Sequence, residues 1–363
     1  MNWRIGSLCA VFLFLSLAGS AQQQMPAAPS QDSAVEPRPA ANPEGRRIDL
    51  DVVVTDKKGK PVSGLELRDF TLLDDRLPAK IVSFHAIDAG AEHRDSPAEV
   101  VLLLDAVNLN YLELTQTRDE VSKFLRENGG HLAAPVSLLL FTDDGLTRLT
   151  EPSTDGNALV AQLDQARSKF RTIGRSAGVN GASERFNLSI KWLVIAAKSV
   201  AQHPGRKMLV WLSGGWPVMD PADTHTSPQG VRLLFDQAVD ISTTLREARV
   251  AVYSVSLAGT MGDNFLGWDF YENFLKGVRD AGKIDSRNLN LKVIAVQSGG
   301  LAMSPDNDLA AQIRSCFADV SMYYTLSFDP PMTEHADDYH DLKVVVDRPK
   351  LTARTNTGYY NQP

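Results

Sequence analysis

The sequence predicts an α/β protein with a doubly wound, mostly parallel sheet that is flanked by β segments at both ends of the chain. Apolar runs of strand length, typical of strands covered on both faces, recur between residues 100 and 257. Stretches with helical spacing alternate with these runs, as they do in doubly wound folds. Shorter segments, several with apolar and polar residues in alternation, precede and follow this region and predict additional β structure.

The composition is that of a folded protein, and it argues against nucleic-acid binding and against a cysteine-based framework or zinc site. The 363 residues are 43% hydrophobic and 22% charged, with a net charge of −7. An acidic chain is a poor match for nucleic acid, whose phosphates bind clustered Lys and Arg side chains. Two cysteines, Cys9 and Cys316, are too few for a disulfide framework or a cysteine-based zinc site.

The first 21 residues have the pattern of a signal peptide. Arg4 supplies a positive charge, residues 5–18 are almost continuously apolar, and Gly19-Ser20-Ala21 provides small residues for signal peptidase. We predict cleavage after Ala21 and export, which makes the mature protein periplasmic or secreted. The apolar run is too short to span a bilayer, and retention as an uncleaved anchor is the alternative. No later stretch is apolar for long enough to cross a membrane.

Structure is expected to begin only after a linker. Residues 22–46 are rich in Pro, Ala and Gln and lack apolar periodicity, which predicts a flexible tether. Alternating apolar residues predict a strand at 48–54, and residues 70–73 and 81–84 are expected to form a hairpin. This N-terminal β segment, residues 47–95, is too small to bury a core alone.

The region 96–320 is the predicted α/β domain. Its predicted strands are 100–105, 136–141, 145–150, 208–213 and 250–257. Of these, 145–150 is expected to be a short edge strand. Its predicted helices are 113–126, 157–167, 187–201, 231–248, 289–297 and 308–320.

The C-terminal segment, residues 321–363, returns to β structure. Strands are predicted at 323–328, 340–346 and 351–360. Because neither β piece has enough surface to stand alone, we expect them to pair into one small β-sandwich. The α/β domain would then be inserted between them.

Several segments in order along the chain resemble a known family. The segments are VVVTDKKGKPVSGLELRDFTLLDD, VVLLLDAVNLNY, KMLVWLSGG, IAVQSGGLA, YYTLSFDPP and HDLKVVVDRPKLTARTNTGYY. In this order and spacing they resemble the von Willebrand factor type A (vWA) fold, in the subgroup named von Willebrand factor A-related from acidobacterial proteins. The resemblance covers about residues 47–363 and implies a protein-interaction module.

The resemblance also implies a metal-ion-dependent adhesion site at the carboxyl ends of the strands. Family members often bind a divalent cation there through Asp-x-Ser-x-Ser, a Thr and a further Asp, because such oxygen ligands suit Mg²⁺ or Mn²⁺. Asp105 holds the first position, but Val107 and Leu109 replace the two serines. Asn108 and Asn110 lie one residue out of phase, where a loop shift could bring an amide oxygen in.

The other family positions are only partly filled. Ser176 or Ser183 could stand for the threonine, while the later strand ends in Ser213 and two glycines with no acid. We therefore predict a degenerate site and no cofactor. The alternative is a metal-dependent adhesion module, in which Asp105 holds Mg²⁺ or Mn²⁺ and the ion binds acidic groups of a partner. A strand-end carboxylate such as Asp105 can instead cap the backbone amides of the next turn.

The same edge of the sheet is the first candidate for partner binding, since open α/β sheets place ligands there. The candidate rim consists of Asp105, Asn108, Asn110, Ser183 and Ser213. The expected partner is another protein of unknown identity, bound without catalysis, so that the chain acts as an interaction or scaffold protein.

An enzyme is the alternative from another class. Residues 174–178 match the G-x-S-x-G nucleophile elbow of serine hydrolases around Ser176, and Asp220, Asp223 and His225 follow in hydrolase order. The motif lacks the buried strand before it and the helix start after it, so a flexible loop explains it better.

The remaining polar clusters have simpler structural explanations. His335 and His340, with Asp337 and Asp338, could collect a metal, but a solvated loop between strands is the expected arrangement. Asp306-Asn307-Asp308 resembles half a calcium loop but lacks the remaining ligands, and this segment is expected to cap the helix that follows it. Cys316, in a helix among apolar residues, is expected to be packed rather than reactive.

Overall fold

The computed structural model describes residues 47–88, 98–170, 178–218, 227–257, 269–332 and 335–362. They belong to the second of two compact units of the chain, Pro43–Pro363, whereas the first, Met1–Asn42, lies outside them. The predicted signal peptide (1–21) and linker (22–46) therefore also lie outside the described residues. Among the helices that are described, none has both the length and the apolar character needed to span a membrane.

Strands come first in the described chain. They are β1 (Ile48–Thr55), β2 (Phe70–Asp74), β3 (Leu77–Ala79) and β4 (Ile81–Asp88). A two-residue turn, Asp75-Arg76, joins β2 to β3, and both of its residues have positive φ, as the central residues of a type I′ hairpin turn do. The chain therefore reverses immediately after β2.

A mostly parallel sheet follows, as predicted. Its strands are β5 (Glu99–Asp105), β6 (His131–Thr142), β7 (Gly145–Arg148), β8 (Ser153–Asp155), β9 (Lys207–Leu212) and β10 (Val250–Val255). The order is β10-β9-β5-β6-β7, with β8 beside β6. The first four strands in this order are parallel, and β7 and β8 run antiparallel to β6. Every residue of β5, β9 and β10 is buried, which is what their continuous apolar runs predict.

Helices cover both faces of this sheet. In the described residues they are α1 (Tyr111–Leu125), α2 (Gly156–Gln165), α3 (Gly178–Val200), α4 (Pro228–Glu247), α5 (Leu291–Gln297) and α6 (Leu309–Ser321). α1, α2 and α6 share a hydrophobic cluster with Val100, Leu102 and Leu104 of β5. α3, α4 and α5 share another with Val101 and Leu103. Because successive strand residues point to opposite faces, the sheet is doubly wound, as predicted.

Strands from the two ends of the described chain share two antiparallel sheets. The tail supplies β11 (Met322–Phe328), β12 (Tyr339–Val346), β13 (Thr352–Arg354) and β14 (Gly358–Tyr360). One sheet has the order β13-β1-β11-β4 and the other β14-β12-β2-β3. Leu50 lies opposite Leu326 in the first, and Phe70 lies opposite Val346 in the second. Both sheets contribute side chains to one hydrophobic cluster that includes Leu50, Phe70 and Tyr324.

Three predictions of secondary structure are wrong in detail. The hairpin of 70–73 with 81–84 does not form, because β2 turns directly into β3 and β4 pairs with β11 instead. The strand predicted at 351–360 is two strands, β13 and β14, which belong to different sheets. The helix predicted at 187–201 begins earlier, at Gly178. Periodicity did not reveal its first turns, because they are largely polar and carry little apolar periodicity.

Candidate functional site

Asp105 ends β5 at the carboxyl edge of the central sheet and is fully buried. Its Oδ1 accepts the backbone N–H groups of Val107 at 3.0 Å and Asn108 at 2.9 Å. Its Oδ2 accepts hydrogen bonds from Asn108 Nδ2 and Trp211 Nε1, both at 2.8 Å. The carboxylate therefore caps the turn after its strand, and it also ties that turn to β9.

The carboxylate is buried at a cost that these bonds offset. Burial raises the pKa of Asp105 above its usual value, because an ionised carboxylate loses its hydration. Hydrogen bonds from Trp211, Asn108 and Ser213 act in the opposite direction by stabilising the charged form. The charged form of Asp105 therefore depends more on its hydrogen-bond donors than the charged form of an exposed capping carboxylate does.

The surroundings of Asp105 do not fit the divalent cation that the family resemblance implies. Mg²⁺ needs a nearly octahedral set of oxygen ligands. Both oxygens of Asp105 already accept hydrogen bonds from two donors each. Val107 and Leu109, at the serine positions of the family, are buried apolar side chains. This arrangement is a closed hydrogen-bond network.

Asn108 and Ser213 complete this network with Asp105. Asn108 Nδ2 also donates to Ser189 Oγ on α3 at 2.9 Å. Ser213 is buried and accepts the backbone N–H of Gly215 at 3.1 Å. Three of the five predicted rim residues are therefore brought together, and Ser189 joins them from α3.

The other two predicted rim residues lie outside the network. Asn110 caps α1: its Oδ1 accepts the Glu113 backbone N–H, and the Glu113 carboxylate accepts the Asn110 N–H, each at 2.9 Å. Ser183 is half-buried in the early turns of α3. The loop between Asp105 and α1 is thus fixed at both of its ends.

Exposed apolar side chains follow directly on this fixed loop. Tyr111 and Leu112, the first residues of α1, are 68% and 64% exposed. The helix begins at the carboxyl edge of the sheet, because β5 ends there and only a short loop intervenes. The edge therefore presents an aromatic and an aliphatic side chain to solvent beside a buried polar network.

A second polar cluster, which we did not predict from the sequence, lies between β2 and β12. Ligand-type atoms of Asp74, Asp75 and His340 lie within 4.8 Å of one another. Asp74 and His340 are 7% and 9% exposed. His340 lies on β12, which confirms the strand predicted at 340–346 and not the solvated loop that was expected to hold His340 with His335.

Ser176, Asp220, Asp223 and His225, the residues of the hydrolase alternative, lie outside the described residues. The expectation that no helix starts after the G-x-S-x-G motif is wrong, because α3 begins at Gly178. Two other expectations are confirmed. Cys316 is buried, and burial raises the pKa of its thiol, as for a packed side chain.

The second confirmed expectation concerns the start of α6. Asp308 is its N-cap and accepts the Ala311 backbone N–H at 3.0 Å. The carboxylate therefore has the structural role that we expected.

Known proteins resemble this chain in structure rather than in sequence. No family model matches the sequence, and no curated protein matches it significantly. The structure is similar to the manganese-loaded TRAP protein of Plasmodium vivax, with 9% identity over 76% of this chain and 97% of that one, at a TM-score of 0.35. The fold class rests on the strand order described above.

Two further solved structures are similar to a comparable degree. The VWA domain of SpRpn10 is 12% identical over 60% of this chain and 94% of its own, at a TM-score of 0.32. The conserved hypothetical protein BatB of Bacteroides thetaiotaomicron is 13% identical over 61% of this chain and 98% of its own, at a TM-score of 0.33.

Proposed function

We propose that this chain is an exported, non-enzymatic interaction or scaffold protein with a vWA-like α/β domain. The α/β domain, residues 96–320, is inserted between the β segments 47–95 and 321–363, and their two sheets form a small β-sandwich as its base. The signal peptide directs export to the periplasm or the exterior, and the linker tethers the folded part.

The exposed pair Tyr111 and Leu112 is the observation that carries this proposal. Open α/β sheets bind ligands at the carboxyl ends of their strands, where these side chains lie. Tyrosine is enriched among the residues that dominate protein–protein binding energies, since it buries a large area with few rotatable bonds. The fixed loop beneath the pair lowers the entropic cost of ordering it on binding.

Partner binding at this edge is proposed to need no metal at Asp105. In a metal-dependent adhesion site, the ion keeps one coordination position for an acidic group of the partner. Asp105 instead directs all its bonds to donors of its own chain. Its role is therefore to hold the loop that presents Tyr111.

Site-specific photocrosslinking tests the proposed surface. We replace Leu112 with a benzophenone amino acid in the full chain and irradiate the protein in its native cells. The expected result is a discrete covalent adduct with another protein, because Leu112 is exposed at the proposed interface. A Tyr111→Ser substitution in the same chain should reduce the adduct several-fold, since it removes a large part of the apolar contact.

The matched control places the same photoreactive residue at Leu77, which is 71% exposed on β3, outside the α/β domain. It should give no such adduct. Equal labelling from positions 77 and 112, or an adduct unaffected by Tyr111→Ser, would show that this edge is not the binding surface.

Export has a separate test. We expect the protein recovered from cells to begin at Gln22, because the small residues before it suit signal peptidase. Cell fractionation followed by mass spectrometry of the N-terminal peptide measures this directly. A chain that keeps residues 1–21 and stays with the membrane would support the uncleaved anchor, and an intact cytoplasmic chain would contradict export.

A further inference from the structure

We propose that Asp74, Asp75 and His340 form a binding site for one divalent transition-metal ion, with Zn²⁺ as the expected occupant. The site lies between β2 and β12, in a different sheet from the carboxyl edge. Neither the interaction function nor the family's adhesion site accounts for it.

The ligand atoms converge at distances that one ion can span. His340 Nδ1 lies 2.9 Å from Asp74 Oδ1 and 3.6 Å from Asp75 Oδ2. Two ligands of a tetrahedral zinc ion, each at ~2.0 Å from the metal, lie about 3.3 Å apart. The two distances from His340 bracket this value, and all three ligand atoms lie within 4.8 Å of one another, so one ion can be placed among them if the side chains adjust.

The charge around His340 favours a cation. Asp74, Asp75 and Asp341 are grouped there, and Arg279 is the guanidinium that bridges Asp75 and Asp341. Arg279 donates to both oxygens of Asp75, to Oδ2 at 3.5 Å, and the same Oδ2 lies 3.6 Å from His340 Nδ1. Two carboxylate oxygens thus face one imidazole nitrogen, which can supply at most one proton to them.

Asp75 is held in position by hydrogen bonds. The Arg279 guanidinium and the Asp341 backbone N–H both donate hydrogen bonds to its Oδ1. Its backbone occupies the tight turn between β2 and β3, with φ +46°. A negative, rotationally restricted ligand binds a metal with little ordering cost.

Tyr359 supplies the kind of outer contact that metal sites use to orient their ligands. Its hydroxyl donates to Asp74 Oδ2 at 2.9 Å, which leaves Oδ1 for the ion. Its ring stacks on His340, with centroids 4.9 Å apart and planes 17° apart. Both ligands on the strands are therefore fixed by the same side chain.

The donor set selects the class of ion. An imidazole nitrogen suits Zn²⁺ and related transition metals, whereas Mg²⁺ and Ca²⁺ prefer sites made of oxygen alone. Three protein ligands leave a fourth tetrahedral position for water. The ion would join residues that are 266 positions apart in the chain, so its binding would also stabilise the pairing of β2 with β12.

Calorimetric titration of the full chain tests the proposal. The protein carries no polyhistidine tag, is stripped with EDTA and is titrated with ZnCl₂. One equivalent is expected to bind, and the melting temperature should rise by several degrees in excess Zn²⁺. Asp75→Asn, which keeps the side-chain shape but loses the ligand charge, should weaken binding at least tenfold. Tyr359→Phe should weaken it about tenfold through the lost hydrogen bond to Asp74.

Asp341→Asn is the matched control, because it loses a partner of Arg279 but no ligand atom. It should weaken Zn²⁺ binding far less than Asp75→Asn does, because only a neighbouring charge is lost. A Co²⁺ absorption spectrum that changes in His340→Gln tests imidazole ligation, with near-UV circular dichroism as the check that this variant folds. No stoichiometric binding, equal binding by Asp75→Asn and Asp341→Asn, or a preference for Mg²⁺ or Ca²⁺ would overturn the proposal.

Discussion

Replacing Asp319 with alanine is expected to lower the free energy of unfolding by about 4 kcal/mol. Asp319 lies on α6, is buried, and accepts hydrogen bonds at 2.7 Å from Tyr253 Oη and from Arg354 Nη2. Its backbone carbonyl accepts a further bond from Arg206 Nη1 at 2.6 Å. The substitution would leave two largely buried guanidinium groups without the carboxylate between them, which costs more than any single lost contact.

Urea denaturation followed by tryptophan fluorescence measures this loss. The control is Asp236→Ala, which breaks the exposed pair that Asp236 forms with Arg232 at 2.8 Å on α4. It should change the free energy of unfolding by no more than about 0.5 kcal/mol, because water screens exposed pairs. A loss in Asp319→Ala no larger than that of the control would mean that the buried cations find other partners.

This network also explains why the tail belongs to the same folded body as the α/β sheet. Arg354 comes from β13, Tyr253 from β10 and Asp319 from α6, so one carboxylate links three elements. Arg249, just before β10, pairs in turn with Asp51 on β1. We therefore expect the loss of Asp319 to weaken the attachment of the terminal strands as well as the helix.

Much of the central fold is predictable because local patterns determine it. The buried runs of β5, β9 and β10 are apolar on both faces, and such runs have few alternatives in a chain of this length. Asp308 is a helix cap that the sequence alone predicts, since it precedes an apolar periodic stretch. In these cases neighbours in the sequence supply the deciding interactions.

The pairing of the outer strands is not predictable in this way. β4 has no fully buried residue, and its weak alternation does not indicate that it pairs with β11 in another sheet. β13 and β14 have three residues each, and the short segment between them does not contain Gly or Pro to mark a break. The pairing of β4 and the division into β13 and β14 both depend on long-range sheet register, which a local sequence pattern does not encode.

Contacts that depend on strand register could not be predicted at either polar site. Asp105 was predictable as a strand-end carboxylate, whereas the bond from Trp211 was not, because Trp211 sits within an apolar run and pairs with Leu103 only through strand register. His340 and Asp74 likewise meet only because β12 lies beside β2. The pattern at 340–346 indicated a strand but not the strand beside which it lies.

Asp105→Ala is expected to lower the free energy of unfolding by about 3 kcal/mol. The substitution leaves five donors without their acceptor: the amides of Val107 and Asn108, the Asn108 side chain, the Trp211 indole and the Ser213 hydroxyl. The loss is partly offset because the buried charge also disappears. Asn110→Ala, which removes an exposed helix cap in the same loop, should cost only about 1 kcal/mol. Urea denaturation measures both.

Thermal unfolding of the same variants with Mg²⁺ and Mn²⁺ separates a closed network from a metal site at Asp105. Because donors already occupy both of its oxygens, neither ion is expected to raise the melting temperature through Asp105. A stabilisation that Asp105→Ala abolishes and Asp75→Asn retains would make Asp105 a metal ligand after all. The opposite pattern, with stabilisation lost only in Asp75→Asn, would assign any bound ion to the cluster around His340 and leave the carboxyl edge to bind its partner without metal.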